Sequence, residues 1–383
     1  MNHSSTIYLD QKALANNIDY IRSLKGEETL LSSVLKANAY GHGISQMVKA
    51  LQKLKVEHFS VFSSSEAKEV SRETTGDCTI MIMGDISPID EDWVIENEID
   101  FFVFNFYRLK KMTEQAKKAN KKINIHLELE TGMNRTGFNK PQWKQLVEYL
   151  KKNSKQINIK GICTHFAGAE SIANYKRIHD QRKTFKKAIR FFKDNEISPE
   201  RIHCSCSAAM LSFPQANYDM VRIGILQYGL WPSRETFISH MTKKNIDDDP
   251  LEPVLSWKSY IMDTKKVRKG THIGYGTTYL AETDMVIASV PVGYGYGYDR
   301  DLSNQGRVIV GKHRLSVIGI VNMNMLLIDI TQIAEKTSIG EEVVLIGKHE
   351  DLEITVNSFE NLTSKLNYEV LARLDKDIPR KLI

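Results

Sequence analysis

Between about residues 28 and 225, short apolar runs alternate with longer amphipathic stretches, a rhythm that few folds satisfy. The strand candidates are Leu30–Leu35, His58–Phe62, Thr79–Met83, Phe101–Phe104, Ile123–Leu129, Ile157–Thr164, Ile202–Cys204 and Met220–Ile223. Between most of them, apolar residues recur near helical spacing, as in Arg108–Ala119, Trp143–Lys152 and Tyr175–Asn195. Strands alternating with helices imply a parallel sheet. Eight such units favour a closed (β/α)8 TIM-type barrel over an open sheet. No Gly-x-Gly-x-x-Gly follows the first strand, which weakens a dinucleotide-binding alternative.

The rhythm changes near residue 235. Thr242–Pro253 is polar, acidic and ends in proline, and reads as a linker. Short β-rich runs follow at Val254–Val267, Met285–Val292, Arg307–Val310, Leu315–Val321, Met325–Ile330 and Glu342–Ile346. One helix is expected at Val356–Leu366. The expected α/β organisation is a barrel over residues 10–237 and a mostly β C-terminal domain over 238–383. The N-terminal strand within 1–9, at Thr6–Leu9, is expected to join the second domain. A chain of 383 residues is long enough for two cores.

Composition narrows the function classes. Lys+Arg number 52 and Asp+Glu 47, giving a formal charge of +5. The basic residues are spread along surface-like segments such as Lys117-Lys118-Ala119-Asn120-Lys121-Lys122, which read as solvated helix faces and not a nucleic-acid groove. No apolar run approaches the ~20 residues that span a bilayer, and Met1–Thr6 lacks the layout of a signal peptide. Four cysteines make no disulfide framework, and Cys204 and Cys206 lie too close in sequence for ordinary disulfide geometry. The expectation is a cytoplasmic protein with no nucleic-acid partner, no membrane and no metal.

Barrel enzymes gather their chemistry at the C-terminal ends of strands. Lys36 closes the first strand and enters Ala37-Asn38-Ala39-Tyr40-Gly41-His42-Gly43. An amine there can condense with a carbonyl cofactor, and the glycines let backbone approach a ligand. Arg135, His165, His203, Ser207 and Arg222 fall near other strand ends. Taken singly, each has a bland alternative: a lysine beside a turn, a packed histidine, a surface arginine. Convergence at several strand ends is what makes them candidates.

These residues carry a resemblance. Val34-Leu35-Lys36-Ala37-Asn38-Ala39-Tyr40-Gly41-His42-Gly43 is similar to the cofactor-lysine motif of the alanine racemase family, fold-type III pyridoxal 5'-phosphate enzymes. The likeness continues through Glu130–Gly137, Thr164–Ala167, Cys206–Ala209 and Val221–Ile225 with Tyr228-Gly229. In the second domain it extends to Gly274–Tyr279, Val292–Gly295, Tyr368-Glu369 and Ile378-Pro379-Arg380. It implies that Lys36 carries the cofactor and acts as one base, while Tyr275 of the other subunit of a homodimer serves the opposite face. Racemisation needs two groups, because a proton removed from one face is replaced on the other. A tyrosine near the ordinary pKa of ~10 needs positive neighbours for such a role.

The resemblance further implies that Arg222 faces the cofactor's pyridine nitrogen and that His165 orients this arginine. Tyr40, Ser207, Gly224 and Ile225 match phosphate-binding positions. Arg135 matches a substrate-binding position near the cofactor's phenolic oxygen and the substrate carboxylate, and Tyr294 and Met323 match the opposite subunit's contribution to the substrate pocket. Several residues depart from the common pattern: Asn324 where an aspartate is frequent, Ile320 where an arginine is frequent, Tyr296 for an acidic residue, and Lys376 where some members have tyrosine. Where some relatives hold the arginine with a carbamylated lysine, this chain has Glu128, whose carboxylate is itself a negative partner.

The expected activity is interconversion of L- and D-alanine, an isomerase function that either supplies D-alanine or consumes it. The alternatives are a racemase of broader specificity, acting on serine, lysine or others, or a fold-type III decarboxylase or lyase. A cofactor carrier without enzymatic activity leaves the residues after the barrel unexplained.

Overall fold

A computed structural model describes residues 3–363 and 365–383. The first two residues of the expected 1–9 segment, and Ser364 within the expected Val356–Leu366 helix, lie outside the described residues. The strands in chain order are β1 (Thr6–Leu9), β2 (Leu30–Val34), β3 (His58–Ser63), β4 (Thr79–Asp85), β5 (Asp100–Val103), β6 (Ile123–Glu128), β7 (Ile157–Cys163), β8 (Arg201–Cys206) and β9 (Met220–Ile223). Strands β2 to β9 pair in sequence order, and β9 returns to β2 to close a barrel. All eight pairings are parallel. This is the expected (β/α)8 barrel.

The apolar runs follow from closure. Covered by helices outside and by one another inside, β5 and β9 are buried at every residue. Helices between strands start on local signals. Ser63 caps Ser64–Glu73 in a capping box with Glu66, and the Asn105 side chain accepts from the Arg108 amide to open Phe106–Ala119. The barrel interior is not wholly apolar: Ser32, Ser60, His58, Asp100, His126 and His203 are all buried on its strands.

The remaining strands are β10 (Leu255–Tyr260), β11 (Asp263–Val267), β12 (Met285–Val290), β13 (Arg307–Val310), β14 (His313–Ile318), β15 (Leu326–Asp329), β16 (Glu342–His349), β17 (Leu352–Ile354) and β18 (Arg380–Leu382). They form a sheet in the order β11-β12-β15-β14-β13-β16-β10-β1-β18, with β17 on β16. Here β10 alternates buried and partly exposed residues, as a sheet with one covered face requires. Strand β1 pairs antiparallel with β10 and parallel with β18, so Thr6–Leu9 does belong to this sheet. The expected run Val254–Val267 is two strands, and the expected helix Val356–Leu366 stops at Leu362.

The chain separates into two compact units. One comprises Ala13–Lys36 and Met47–Glu252, and the other the N-terminal segment to Lys12, Ala37–Gln46 and Pro253–Ile383. The seam therefore runs after Glu252, downstream of the expected 237/238 boundary. The change in composition near residue 235 precedes it because the helix Arg234–Lys244, capped by Ser233, still belongs to the barrel unit.

Candidate active site

Lys36 is held at the end of β2 by its supports. Gln227 Nε2 and Tyr228 Oη both donate to the Val34 carbonyl at 3.1 Å, while Ser33 Oγ donates to Gln227 Oε1 at 2.7 Å. The Lys36 side chain is open to solvent yet recessed among protein atoms. That recess lowers its pKa by desolvation, and the Arg135 charge lowers it further. A lysine pushed this way is more often the free amine that carbonyl condensation needs.

Arg222 lies buried on β9 with its fork occupied. One Nη2 donates to the Thr164 carbonyl at 3.0 Å and the Cys204 carbonyl at 3.3 Å, and Nη1 donates to His203 Nδ1. The partner that orients this arginine is therefore His203, on β8, and not His165 as the resemblance implied. His165 is near enough to feel the charges of Arg222, Arg135 and Lys36, which together with burial hold its pKa at about 3. It is a neutral imidazole at physiological pH.

Arg135 sits on the loop after β6, more than half exposed, with Nη2 4.0 Å from Glu128 Oε1. Glu128 is nearly buried, and Thr136 Oγ1 donates to its other oxygen at 2.9 Å. Burial raises the Glu128 pKa, opposed by the Thr136 hydrogen bond and the Arg135 charge. The loop itself is braced by Glu130, which accepts from the Gly132 and Asn134 amides. Gln181, buried on a neighbouring helix, donates to the His165 carbonyl at 2.9 Å and accepts from the Ala167 amide at 2.9 Å. Ser207 opens the helix after β8, and its Oγ accepts from the Gly224 amide at 3.2 Å. Ile225 is buried beside it in sequence.

Lys36, Arg135, His165, Ser207, Arg222, Gly224 and Ile225 thus all belong to the barrel unit. Glu130, Gln181, Gln227 and the hydrogen-bonding role of His203 were missed by sequence reasoning. The only signal for them was proximity in sequence to the motifs, because a bond such as Gln181 to His165 exists only in three dimensions.

Tyr40, Tyr275, Tyr294 and Met323 belong to the other unit. Tyr40 is buried, and its ring lies 6.0 Å from that of Tyr368. Tyr294 and Met323 are neighbours: the Tyr294 amide donates to the Asn322 carbonyl at 3.0 Å and the Gly295 amide to the Met323 carbonyl at 2.8 Å. Tyr275 stands between Gly274 and Gly276, both at positive φ, with its side chain 69% exposed. Tyr294 and Met323 are also exposed.

The chemistry of this donor set fits pyridoxal 5'-phosphate. Three cations, Lys36, Arg135 and Arg222, act on one neutral imidazole at the strand ends, an excess of positive charge that suits a phosphorylated ligand. An amine, a guanidinium and a hydroxyl are the group types that a carbonyl, a pyridine nitrogen and a phosphate require.

Known proteins are similar to this chain in sequence and fold. Residues 9–232 match a family model described as alanine racemase, N-terminal domain, and residues 254–382 match alanine racemase, C-terminal domain. An alanine racemase of Leptospira interrogans is 35% identical over 100% of this chain and 96% of its own length. One of Methanococcus maripaludis is 32% identical, with 99% of each chain covered. Among solved structures, alanine racemase of Clostridium difficile 630 superposes with a TM-score of 0.90 at 28% identity, covering 100% of this chain and 96% of that one. The alanine racemase of Bacillus anthracis, solved with bound L-Ala-P, gives 0.88 at 28% identity with the same coverage. A closed parallel barrel with a lysine at its first strand end, a buried arginine on its last and a β domain that takes up the N-terminal strand, matched along both units, places this chain in the alanine racemase family.

Proposed function

We propose that this protein is a pyridoxal 5'-phosphate-dependent alanine racemase acting as a homodimer in the cytoplasm, with each site completed by the second copy. The carrying observation is the recessed Lys36, its pKa lowered by burial and by Arg135, in the barrel unit that also holds buried Arg222. When bound, the cofactor supplies an electron-withdrawing ring that acidifies the substrate Cα–H. Lys36 Nζ would anchor the cofactor, and as an amine it takes or returns the Cα proton on one face. Tyr275 Oη of the second copy does the same on the other face. Arg222, which donates but does not readily give up a proton, would face the ring nitrogen and moderate the electron demand the ring supplies. Ser207 Oγ and the Gly224 and Ile225 amides would hold the phosphate, while Arg135 holds the substrate carboxylate and Tyr294 and Met323 of the second copy line the pocket. His165 adds an uncharged ring beside the cofactor.

Purified protein loaded with cofactor should convert L-alanine to D-alanine, followed by chiral chromatography. Lys36→Ala should lose the visible absorbance of the lysine-bound cofactor together with activity, and Tyr275→Phe should keep bound cofactor but lose most racemisation. Wild-type rates in Tyr275→Phe would sink the two-base assignment. A broader specificity has one observation in its favour. Ile320, uncharged where arginine is frequent, lies beside the Tyr275 turn, with Cδ1 3.9 Å from where a Cβ on Gly276 would be. Faster turnover of serine, lysine or methionine than alanine would favour that reading. Release of carbon dioxide or ammonia without D/L interconversion would favour a decarboxylase or lyase.

A further inference from the structure

Behind Arg222, on the side away from the strand ends, a line of buried polar side chains continues down the barrel. Arg222 Nη1 donates to His203 Nδ1. His203 Nε2 lies 2.8 Å from His126 Nδ1, and His126 Nε2 lies 3.1 Å from Asp100 Oδ2. The two histidines are 0% exposed and Asp100 is 2% exposed. Four strands supply the line: β9, β8, β6 and β5. Asp100 is the first residue of its strand, so the line runs from near the C-terminal end of the barrel towards its N-terminal end. There Asp100 borders a cleft of about 400 Å3 that Cys78, Asn124, Lys160 and Arg201 also line.

Two packing features show that this line is built in. Strand β7 passes between β6 and β8, and its Gly161 leaves the space that the two imidazoles occupy. A Cβ on Gly161 would lie 2.2 Å from His126 Nδ1 and 3.0 Å from His203 Nε2. Phe102 covers the line, with its ring 6.1 Å from that of His126, 5.9 Å from that of His203 and 5.9 Å from the Arg222 guanidinium.

The ends fix the direction of every hydrogen bond. An arginine only donates, so His203 Nδ1 must accept and its proton sits on Nε2. That proton makes His126 Nδ1 the acceptor and puts the second proton on His126 Nε2, where a carboxylate, which only accepts, receives it. If either ring took the other tautomer, two donors or two acceptors would face one another in a buried space, at a cost of the order of 1–3 kcal/mol. His58 and Arg201 also act electrostatically on this group, and burial and the Arg222 charge push the His203 pKa well below the ordinary value. His203 therefore stays neutral.

We propose that His126 and Asp100 are positioning residues for Arg222: they close a one-directional chain of hydrogen bonds that keeps His203 Nδ1 an acceptor and so fixes how the guanidinium is presented to the cofactor ring. The functional half of this inference rests on the reading above that Arg222 faces that ring. Its structural half does not.

The test is 15N NMR of histidine-labelled protein, with and without cofactor, alongside steady-state kinetics. In the wild-type protein His126 and His203 should both show an unprotonated Nδ1 and a protonated Nε2. Asp100→Leu removes one of the two ends that set the tautomers and leaves His126 Nε2 without its acceptor, so a fraction of the second tautomer should appear at both rings, with the guanidinium displaced from His203. Its kcat should fall by about tenfold or more with KM for L-alanine changed less than about twofold. Asp100→Asn keeps an acceptor oxygen and should hold kcat within about threefold of wild type. A proton on Nδ1 of either ring in the wild type, or wild-type kcat with a single tautomer in Asp100→Leu, would overturn the proposal. Should Asp100→Leu not fold, the wild-type spectra and Asp100→Asn still decide it. Absence of racemisation in the wild type, with the tautomers as stated, would refute the proposed function and leave the hydrogen-bonded chain standing.

Discussion

Glu128 shows how one substitution changes the physics of a site without changing its charge logic. Its carboxylate faces Arg135 at 4.0 Å and pays for that placement with a pKa raised first of all by burial. A carboxyl whose folded pKa is raised binds its proton more tightly folded than unfolded. Its burial penalty is therefore present at neutral pH and relieved as pH falls. Glu128→Gln should leave the melting temperature unchanged or higher. Because Arg135 is largely exposed, losing its partner should cost only about 0.5–1 kcal/mol, a rise of a few-fold in KM for alanine. Calorimetry and steady-state kinetics on the same preparation check both signs. A fall in melting temperature would show that the carboxylate stabilises the fold.

The turn after Lys36 is the element whose conformation matters most. Ala37, Asn38, Ala39 and Tyr40 all have φ near +50°, a left-handed turn that L-residues adopt at a cost of roughly 1–2 kcal/mol each. The strain is held by a dense set of bonds. The Gly43 amide donates to the Asn38 carbonyl at 2.9 Å, Ile44 N to Asn38 Oδ1 at 3.1 Å, and Arg380 Nε and Nη2 to the Gly41 carbonyl at 3.2 and 3.0 Å. Gly41 has φ +77°, and a Cβ there would lie 2.1 Å from the Leu371 carbonyl oxygen. Gly41→Ala should destabilise the protein by about 2–4 kcal/mol and weaken cofactor retention. A denaturant titration and the visible absorbance of the bound cofactor measure the two effects. A midpoint matching wild type would mean that the Leu371 backbone yields.

At the scale of the molecule, buried histidines set the acid limit of stability. Burial lowers His42 to about 4 and His58 to about 3, against an unfolded value near 6.5. Depressed folded pKa values mean that the unfolded chain binds more protons below pH 6.5. Stability is thus full above that pH and falls as pH drops toward the folded values. By pH 5 each of the two removes about 2 kcal/mol, a large share of the roughly 5–15 kcal/mol that holds a domain together. Melting temperatures from pH 7.5 to 5 should fall steeply, and His42→Gln should flatten the slope. The shared-site reading makes a second prediction at this scale. Lys36→Ala and Tyr275→Phe chains, mixed as unfolded monomers and refolded together, should recover about a quarter of wild-type activity through hybrid dimers with one intact site. No recovery, with hybrids verified by mass, would place Tyr275 in its own subunit's site.

Much of this was legible in the sequence because it is local. The eight apolar runs marked strands buried on both faces, and β9 falls at Met220–Ile223 as its run does. Lys36 stood out because a strand end, a glycine turn and a family motif coincide within ten residues, and Arg222 because its motif does the same. The boundary between units was misplaced because a polar helix such as Arg234–Lys244 resembles a linker in composition. The resemblance gave the place beside Arg222 to His165, whereas the guanidinium donates to His203; both lie near strand ends, and only the direction of a side chain separates them.

The sequence by itself determined the barrel, the β domain that takes up Thr6–Leu9, and the lysine on which the proposed chemistry depends, since periodicity and short motifs depend on neighbours along the chain. Only the tertiary structure decided which histidine holds Arg222 and what lies behind it. Asp100, His126, Gly161, His203 and Arg222 are spread over five strands, and closure of the barrel brings them into one line. A hydrogen bond of 2.8 Å between rings 77 residues apart has no period, no composition and no motif. It exists because the strands between them closed around a glycine.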